Sequence, residues 1–337
     1  LKKCAALLLV SSCLLTGCTT SSAKKVDSKY VVASLEKGNK TKNIFADNLY
    51  KDIIDNSSNN STVFNAVLQN LVDQKFPVND DMKEDAATII KQIKSAYKSN
   101  YGDNYKDSLN QALTSAGYKN LSEYRQRMIK QIQYANFLLD YIDDHFDDVF
   151  NDYYQQCAPK YVSLIKISVS DTSSPTDDET SKLNEVKELI SNTDKSFGDI
   201  AQDYSDDSTS SKKGSLGIVD SKDTSGIANS YGKDVFNAIE ALSEGQVSDV
   251  ITGDDGYYFV KVTSTDKKTL KKELKKTDID SPLLAYDDYL QYVVYNSYKI
   301  NYKDKDIKKI VQEVVNKALE ERKDGCCSLY FFWTLEC

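Results

Sequence analysis

The chain has 337 residues, a formal net charge of -8 and 28% charged residues, the make-up of an acidic, water-soluble protein with room for two or three domains. An acidic balance without a basic cluster argues against nucleic acid as a partner. Only 4 prolines occur, and two of them, Pro159 and Pro282, bracket a segment that reads differently from its flanks.

The first residues carry Lys2 and Lys3, then an apolar run from Ala5 to Leu15 broken by Ser11, Ser12 and Cys13, then Leu15-Thr16-Gly17-Cys18. The run is far shorter than the roughly 20 residues a bilayer requires, so residues 1–17 read as a secretory signal ending in a lipobox. Small residues before Cys18 let a peptidase reach the bond, and the Cys18 thiol accepts the lipid. This predicts a protein anchored by lipid at Cys18 on the extracytoplasmic face of the cell membrane. A diacylglyceryl group supplies the two chains that stable attachment takes, at about 0.8 kcal/mol per buried methylene.

Residues 18–158 read as mainly helical. Tyr30 to Leu35 is a short apolar strand and Gly38-Asn39 a turn. Phe45, Leu49 and Ile53 form an i, i+4, i+8 face, and the polar loop Asn56 to Asn60 ends it. Val63, Phe64, Val67, Leu68 and Leu71 mark a second amphipathic helix, and Ala86, Ile89, Ile90, Ile93 and Ala96 a third. Asn120 with Glu123 resembles a capping box opening a long helix. In it Leu121, Met128, Ala135, Ile142 and Val149 recur every seven residues, flanked by Ile132, Leu139 and Phe146. The acidic run Asp143, Asp144, Asp147 and Asp148 around His145, the one histidine of the chain, reads as a solvated helix end rather than a metal site.

Residues 159–266 change character. Tyr161 to Ser168 is β-rich, and a helix follows with Leu183, Val186, Leu189 and Ile190 on one face. Phe197, Ala201 and Tyr204-Ser205 come next, then Asp206-Asp207-Ser208 and the loop Lys213-Gly214-Ser215-Leu216-Gly217. Last are Ala241-Leu242-Ser243-Glu244-Gly245-Gln246-Val247-Ser248 and Gly256-Tyr257-Tyr258-Phe259-Val260-Lys261-Val262. These five pieces, in this order over about a hundred residues, resemble the parvulin-type peptidyl-prolyl isomerases.

The resemblance extends loosely to the flanks. Val31 to Gly38, Leu68 to Lys75 and Lys299 to Ile307 are similar to the chaperone region of PrsA-like foldase lipoproteins. It implies an α+β protein: a helical chaperone lobe from both flanks (18–158 and 267–323), with an inserted parvulin-like domain (159–266) of antiparallel sheet plus helices. The implied activity is cis-trans isomerisation of X-Pro bonds in newly exported proteins, with unfolded or partly folded exported chains as partners and no cofactor. A homodimer is compatible with it. Two readings compete: a non-enzymatic holdase with a degenerate parvulin domain, and more remotely a solute-binding lipoprotein, which would need strand-helix alternation that residues 43–154 do not offer.

Parvulins place two histidines and a cysteine or aspartate under the proline ring. Here Leu164 and Tyr258 stand at the histidine positions and Asp207 at the third. The resemblance therefore implies Asp207 and Tyr258 as a polar catalytic pair. Leu164, Leu216, Ile227, Val235 and Phe236 would form the substrate pocket. Rotation about X-Pro faces a barrier of about 18–20 kcal/mol and needs no nucleophile, only an apolar cradle and hydrogen bonds that favour the twisted amide.

Of the 7 cysteines, Cys157 alone lies in the body of the chain, and no spacing matches a zinc or C-x-x-C site. Tyr286, Tyr289, Tyr292, Tyr295 and Tyr298 track one helix face, as core or groove lining. The apolar tail 324–337 matches no expectation.

Overall fold

The computed structural model describes residues 25–37, 40–274 and 279–323. The signal and lipobox with Cys18, the Gly38-Asn39 turn and the tail from 324 lie outside the described residues. The chain divides into two compact units. One comprises the described parts of Val10–Thr88, Leu113–Leu138 and Asp288–Cys337; the described part of the other comprises Ile89–Ala112 and Leu139–Asp287.

In chain order, β1 (Lys25–Val26), β2 (Lys29–Lys37) and β3 (Lys40–Phe45) form an antiparallel three-stranded sheet followed by α1 (Ala46–Ile54). Then come α2 (Asn60–Lys75), α3 (Asp80–Tyr101), α4 (Tyr105–Ser115), α5 (Leu121–Asp144) and α6 (Phe146–Cys157). The Asn120 carboxamide accepts the Glu123 N–H at 2.9 Å, but the Glu123 carboxylate turns to the Lys119 N–H at 2.8 Å. The opening of α5 is thus capped one residue wider than a reciprocal box.

The seven-residue repeat overstates the length of that helix. Its backbone breaks at His145 (φ -123°, ψ 30°), and Val149 belongs to α6, on a buried face with Phe150, Tyr153 and Cys157. The His145 ring stacks on Tyr141 at 4.0 Å and its Nδ1 lies 3.0 Å from the Tyr141 carbonyl oxygen. The heptad survives the break because α6 re-enters with the same face inward, which sequence spacing alone does not distinguish from one continuous helix.

In the first unit the two chain flanks pack together. α12 (Tyr289–Ser297) and α13 (Lys305–Lys323) close on α2. Phe64 of α2 stacks on Tyr292 at 5.0 Å and meets Tyr295 edge-on at 5.1 Å. The Tyr295 and Tyr302 hydroxyls hydrogen-bond each other, and Tyr298 stacks on Phe137 at 5.7 Å. The buried positions of α12 are Leu290, Val294 and Tyr295, so its core face follows 290/294 rather than tyrosines at threes. Tyr286 precedes the helix.

The second unit holds a four-stranded antiparallel sheet of order β5-β4-β7-β6, from β4 (Lys160–Ser168), β5 (Ser215–Val219), β6 (Ile251–Gly253) and β7 (Gly256–Ser264). The first and last strands in sequence lie side by side at its centre, with Tyr161 opposite Ser264 and Lys166 opposite Tyr258. Strand alternation sends Val162, Leu164, Tyr258 and Val260 to one face and Ile165, Ile167 and Phe259 to the other. On the second face lie α7 (Asp177–Asn192) and α8 (Phe197–Tyr204), through Leu183, Val186, Phe197, Ile200 and Ala201. On the first face lie α9 (Ile227–Tyr231) and α10 (Lys233–Ala241), through Ile227, Val235 and Ile239. α11 (Lys267–Leu274) follows the sheet with Leu270 and Leu274 inward.

Candidate active site

The first face of the sheet is a cradle. Leu164, Ile227, Val235 and Tyr258, four of the seven pocket or catalytic candidates, are 0%, 4%, 1% and 2% exposed. They form its back wall. At this burial the four side chains lie behind the accessible surface of the cradle. Leu216 and Phe236 are half-buried and lie on the rim, as do Tyr231, Leu242 and Ile251.

Close approach makes this geometry possible at two glycines. Gly214 (φ +75°) opens β5 against β4, where its carbonyl accepts the Leu164 N–H at 2.8 Å. A Cβ there would come within 2.4 Å of the Leu164 carbonyl oxygen and 2.8 Å of Ala201 Cβ. Gly253 of β6 lies beneath the Tyr258 ring, and a Cβ would meet its Cε2 at 2.6 Å.

The polar groups pair differently from the expectation. The Tyr258 hydroxyl donates to Asp255, not to Asp207. Asp255 also forms an ion pair with Lys166, whose ammonium sits 5.6 Å from the centroid of the Tyr258 ring. Burial, together with the Asp255 carboxylate, raises the Tyr258 phenol well above its ordinary range.

Asp207 is held by its own loop and by one phenol. Its backbone N–H donates to Ser205 Oγ at 3.3 Å, and its Oδ1 accepts the Thr209 N–H at 2.9 Å. The same oxygen accepts the Tyr231 hydroxyl at 3.4 Å. The neighbouring Asp206 fastens this loop to the sheet edge: its N–H donates to the Lys166 carbonyl at 2.8 Å and its carboxylate accepts the Ser168 N–H at 2.9 Å. Tyr231 packs edge-on against Tyr258, centroids 6.2 Å apart at 78°. Burial, then Asp207, pushes its phenol up to about 12.

Sequence reading missed Tyr231, Asp255 and Lys166. Tyr231 sits in a Ser/Gly-rich insertion with no periodicity to mark it, and Asp255 lies in an Asp254-Asp255-Gly256 turn that reads as an ordinary hairpin. Lys166 alone carried a signal: it is the one charged residue on the inward-facing alternation of β4 beyond Val162 and Leu164.

The insertion is ordered by polar contacts. Asp220, fully buried, accepts the Tyr153 hydroxyl at 2.8 Å, the Lys222 and Thr224 N–H groups at 3.0 and 3.2 Å, and the Thr224 hydroxyl. The Asp223 carboxylate accepts the N–H groups of Ile227 and Ala228 at 2.5 and 2.9 Å, opening α9. Lys160 Nζ donates to the Ile239, Glu240 and Leu242 carbonyls at 3.0, 2.7 and 3.1 Å, closing the C-terminus of α10 over the sheet.

The four-stranded sheet thus carries on its first face an apolar cradle, with the Asp207–Tyr231 pair at its side. Residues 164–264 match the family model of the PPIC-type PPIase domain, the rotamase family. The chain is also similar to PrsA foldases. It is 32% identical over 151 residues to Foldase protein PrsA of Staphylococcus aureus, covering 43% of this chain and 44% of that protein. It is 32% identical over 141 residues to the Staphylococcus epidermidis protein of the same name, covering 40% and 41%. The match thus spans less than half the length of these relatives. Solved structures of PrsA from Bacillus subtilis and from Streptococcus pneumoniae align over 84% and 83% of this chain and 98% and 99% of theirs, at 21% and 20% identity and a TM-score of 0.38 each.

Proposed function

We propose that this chain is a foldase for exported proteins that catalyses cis-trans isomerisation of X-Pro bonds. The observation that carries it is the cradle itself: an apolar rim of Leu216, Phe236 and Ile251 beside the polar pair Asp207 and Tyr231, on a four-stranded sheet. The rim would hold the proline ring. Leu164, Ile227, Val235 and Tyr258 would support it from behind. Planar and twisted amides differ mainly in the basicity of nitrogen and the polarity of oxygen, so fixed O–H and carboxylate groups favour the twisted form without a covalent step. The clients would be unfolded or partly folded exported chains, met by a protein held to the membrane through lipidated Cys18 and acting as a monomer or homodimer. Among the described residues no helix is long and apolar enough to cross a membrane.

A second reading, a holdase, is favoured by one feature of the first unit. Leu49, Tyr50 and Ile53 of α1 are 46%, 43% and 45% exposed. Tyr50 and Ile53, with Val63, Ala66 and Val67 of α2 and Ile307 of α13, line an open apolar cleft of about 340 Å³. One experiment separates the readings. The purified chain is assayed for isomerisation of a proline peptide and for suppression of aggregation of a client without proline. Acceleration of the first supports the enzyme; a rate equal to buffer with aggregation suppressed leaves the holdase alone.

A further inference from the structure

The geometry points to Tyr231 as the catalytic group of the cradle, donating its phenolic O–H to the rotating X-Pro amide, with Asp207 as the residue that positions it. This assignment rests on the isomerase reading and moves the reacting hydroxyl away from Tyr258, where alignment with the parvulins would put it.

Two phenols lie in the cradle and only one is placed to act. Tyr258 is 2% exposed, and its ring is enclosed by Gly253 on β6 and Lys166 on β4. Its hydroxyl is committed to Asp255, which Lys166 holds in turn. A substrate reaches that hydroxyl only by breaking both contacts. Tyr231 instead lies half-buried on the rim, packed on the same cluster as Leu216 and Phe236. Its hydrogen bond to Asp207 is 3.4 Å long, against about 2.5–3.0 Å for a well-formed O–H···O contact. The oxygen that receives it is already occupied by the Thr209 N–H at 2.9 Å. Such a bond orients the hydroxyl and is readily exchanged for a better acceptor.

The twisting amide supplies that acceptor. In the planar amide the nitrogen lone pair is delocalised into the carbonyl and accepts poorly. As the C–N bond rotates, the lone pair localises on nitrogen, and a hydrogen bond from Tyr231 forms only in the twisted geometry. That is the differential binding catalysis needs. No bond to the substrate is made or broken, and the proton stays on the phenol throughout. The ring itself is held by its edge-on contact with Tyr258 and by α9, which Asp223 anchors at its start.

The test uses the purified chain and a proline peptide. Tyr231→Phe keeps the ring and removes the donor; kcat/KM should fall roughly tenfold, the loss lying in kcat, while peptide affinity and circular dichroism are unchanged. Asp207→Asn, which keeps an acceptor oxygen, should retain most of the rate, and Asp207→Ala should lose it. Tyr204→Phe, which removes an exposed hydroxyl bonded to Glu185 on the other face of the sheet, serves as control and should match the unsubstituted chain. An active chain in which Tyr231→Phe is as fast as the control overturns the assignment and leaves the isomerase reading standing. An unsubstituted chain no faster than buffer overturns both.

Discussion

Asp220 shows how much of the central unit hangs on single side chains. It is wholly enclosed and takes hydrogen bonds from α6 and from its own loop. Asp220→Ala strands the Tyr153 hydroxyl and two backbone N–H groups, and should cost about 1–3 kcal/mol in urea unfolding. Tyr231 gives a pH prediction. Its phenol is raised from 10.0 to about 12 in the fold, so the neutral form is favoured by folding. The stability it contributes is complete below pH 10 and is lost as pH rises through about 12; tyrosinate titration followed by ultraviolet absorbance, with and without Tyr231→Phe, measures it. Near neutrality no such change is expected. His145, the single histidine, lies outside residues 159–266, and isomerisation should be flat from about pH 6 to 8, the range in which histidine titrates. Residues such as Asp220 and Tyr231 were illegible in the sequence for one reason: their importance comes from partners far along the chain, which no local pattern records.

Elements were more legible than residues wherever one face is buried. β4 and β7 read as near-continuous apolar runs because each packs a layer on both sides of the sheet, and α2 and α3 show their apolar faces directly. The ends were read less well. α5 ends at Asp144, five positions before Val149, and the repeat hides this because α6 preserves its facing. α1 was drawn from apolar spacing, yet none of its residues is buried. Apolar periodicity reports that a face exists, not that this chain covers it. The start of α7 is specified more fully. Thr176 and Glu179 form a reciprocal capping box, and the Glu179 carboxyl, accepting the Thr176 and Ser170 N–H groups, is lowered to about 2. Thr176→Ala should cost about 1 kcal/mol, read from chemical denaturation. In β6, Gly253→Ala drives a methyl into the Tyr258 ring; overpacking of this kind typically costs about 1–3 kcal/mol, and near-ultraviolet dichroism should report the displaced tyrosine.

At the scale of the molecule, the pairing of distant flanks was suggested by resemblance, and the packing of α13 on α2 gives it a physical basis. Ile310, Val311 and Val315 of α13 are 7%, 1% and 3% exposed. Each buried aliphatic side chain is worth roughly 1.5–3 kcal/mol, so their loss is comparable to the stability of a small domain. A chain ending before Lys305 should lose one calorimetric transition while keeping its isomerisation rate. Survival of both transitions would show that the N-terminal flank folds without its C-terminal counterpart.

The strand register at Tyr161 and Ser264 has a further consequence. Where the polypeptide enters the catalytic sheet and where it leaves are neighbours across a single ladder, about 5 Å apart at the backbone. A chain that carries this sheet therefore needs to supply only two adjacent ends. The Tyr153–Asp220 bond fixes where the cut belongs: a transplanted copy should begin at Phe146, carrying α6 with it, because one severed at Lys160 leaves a buried carboxylate without its phenol.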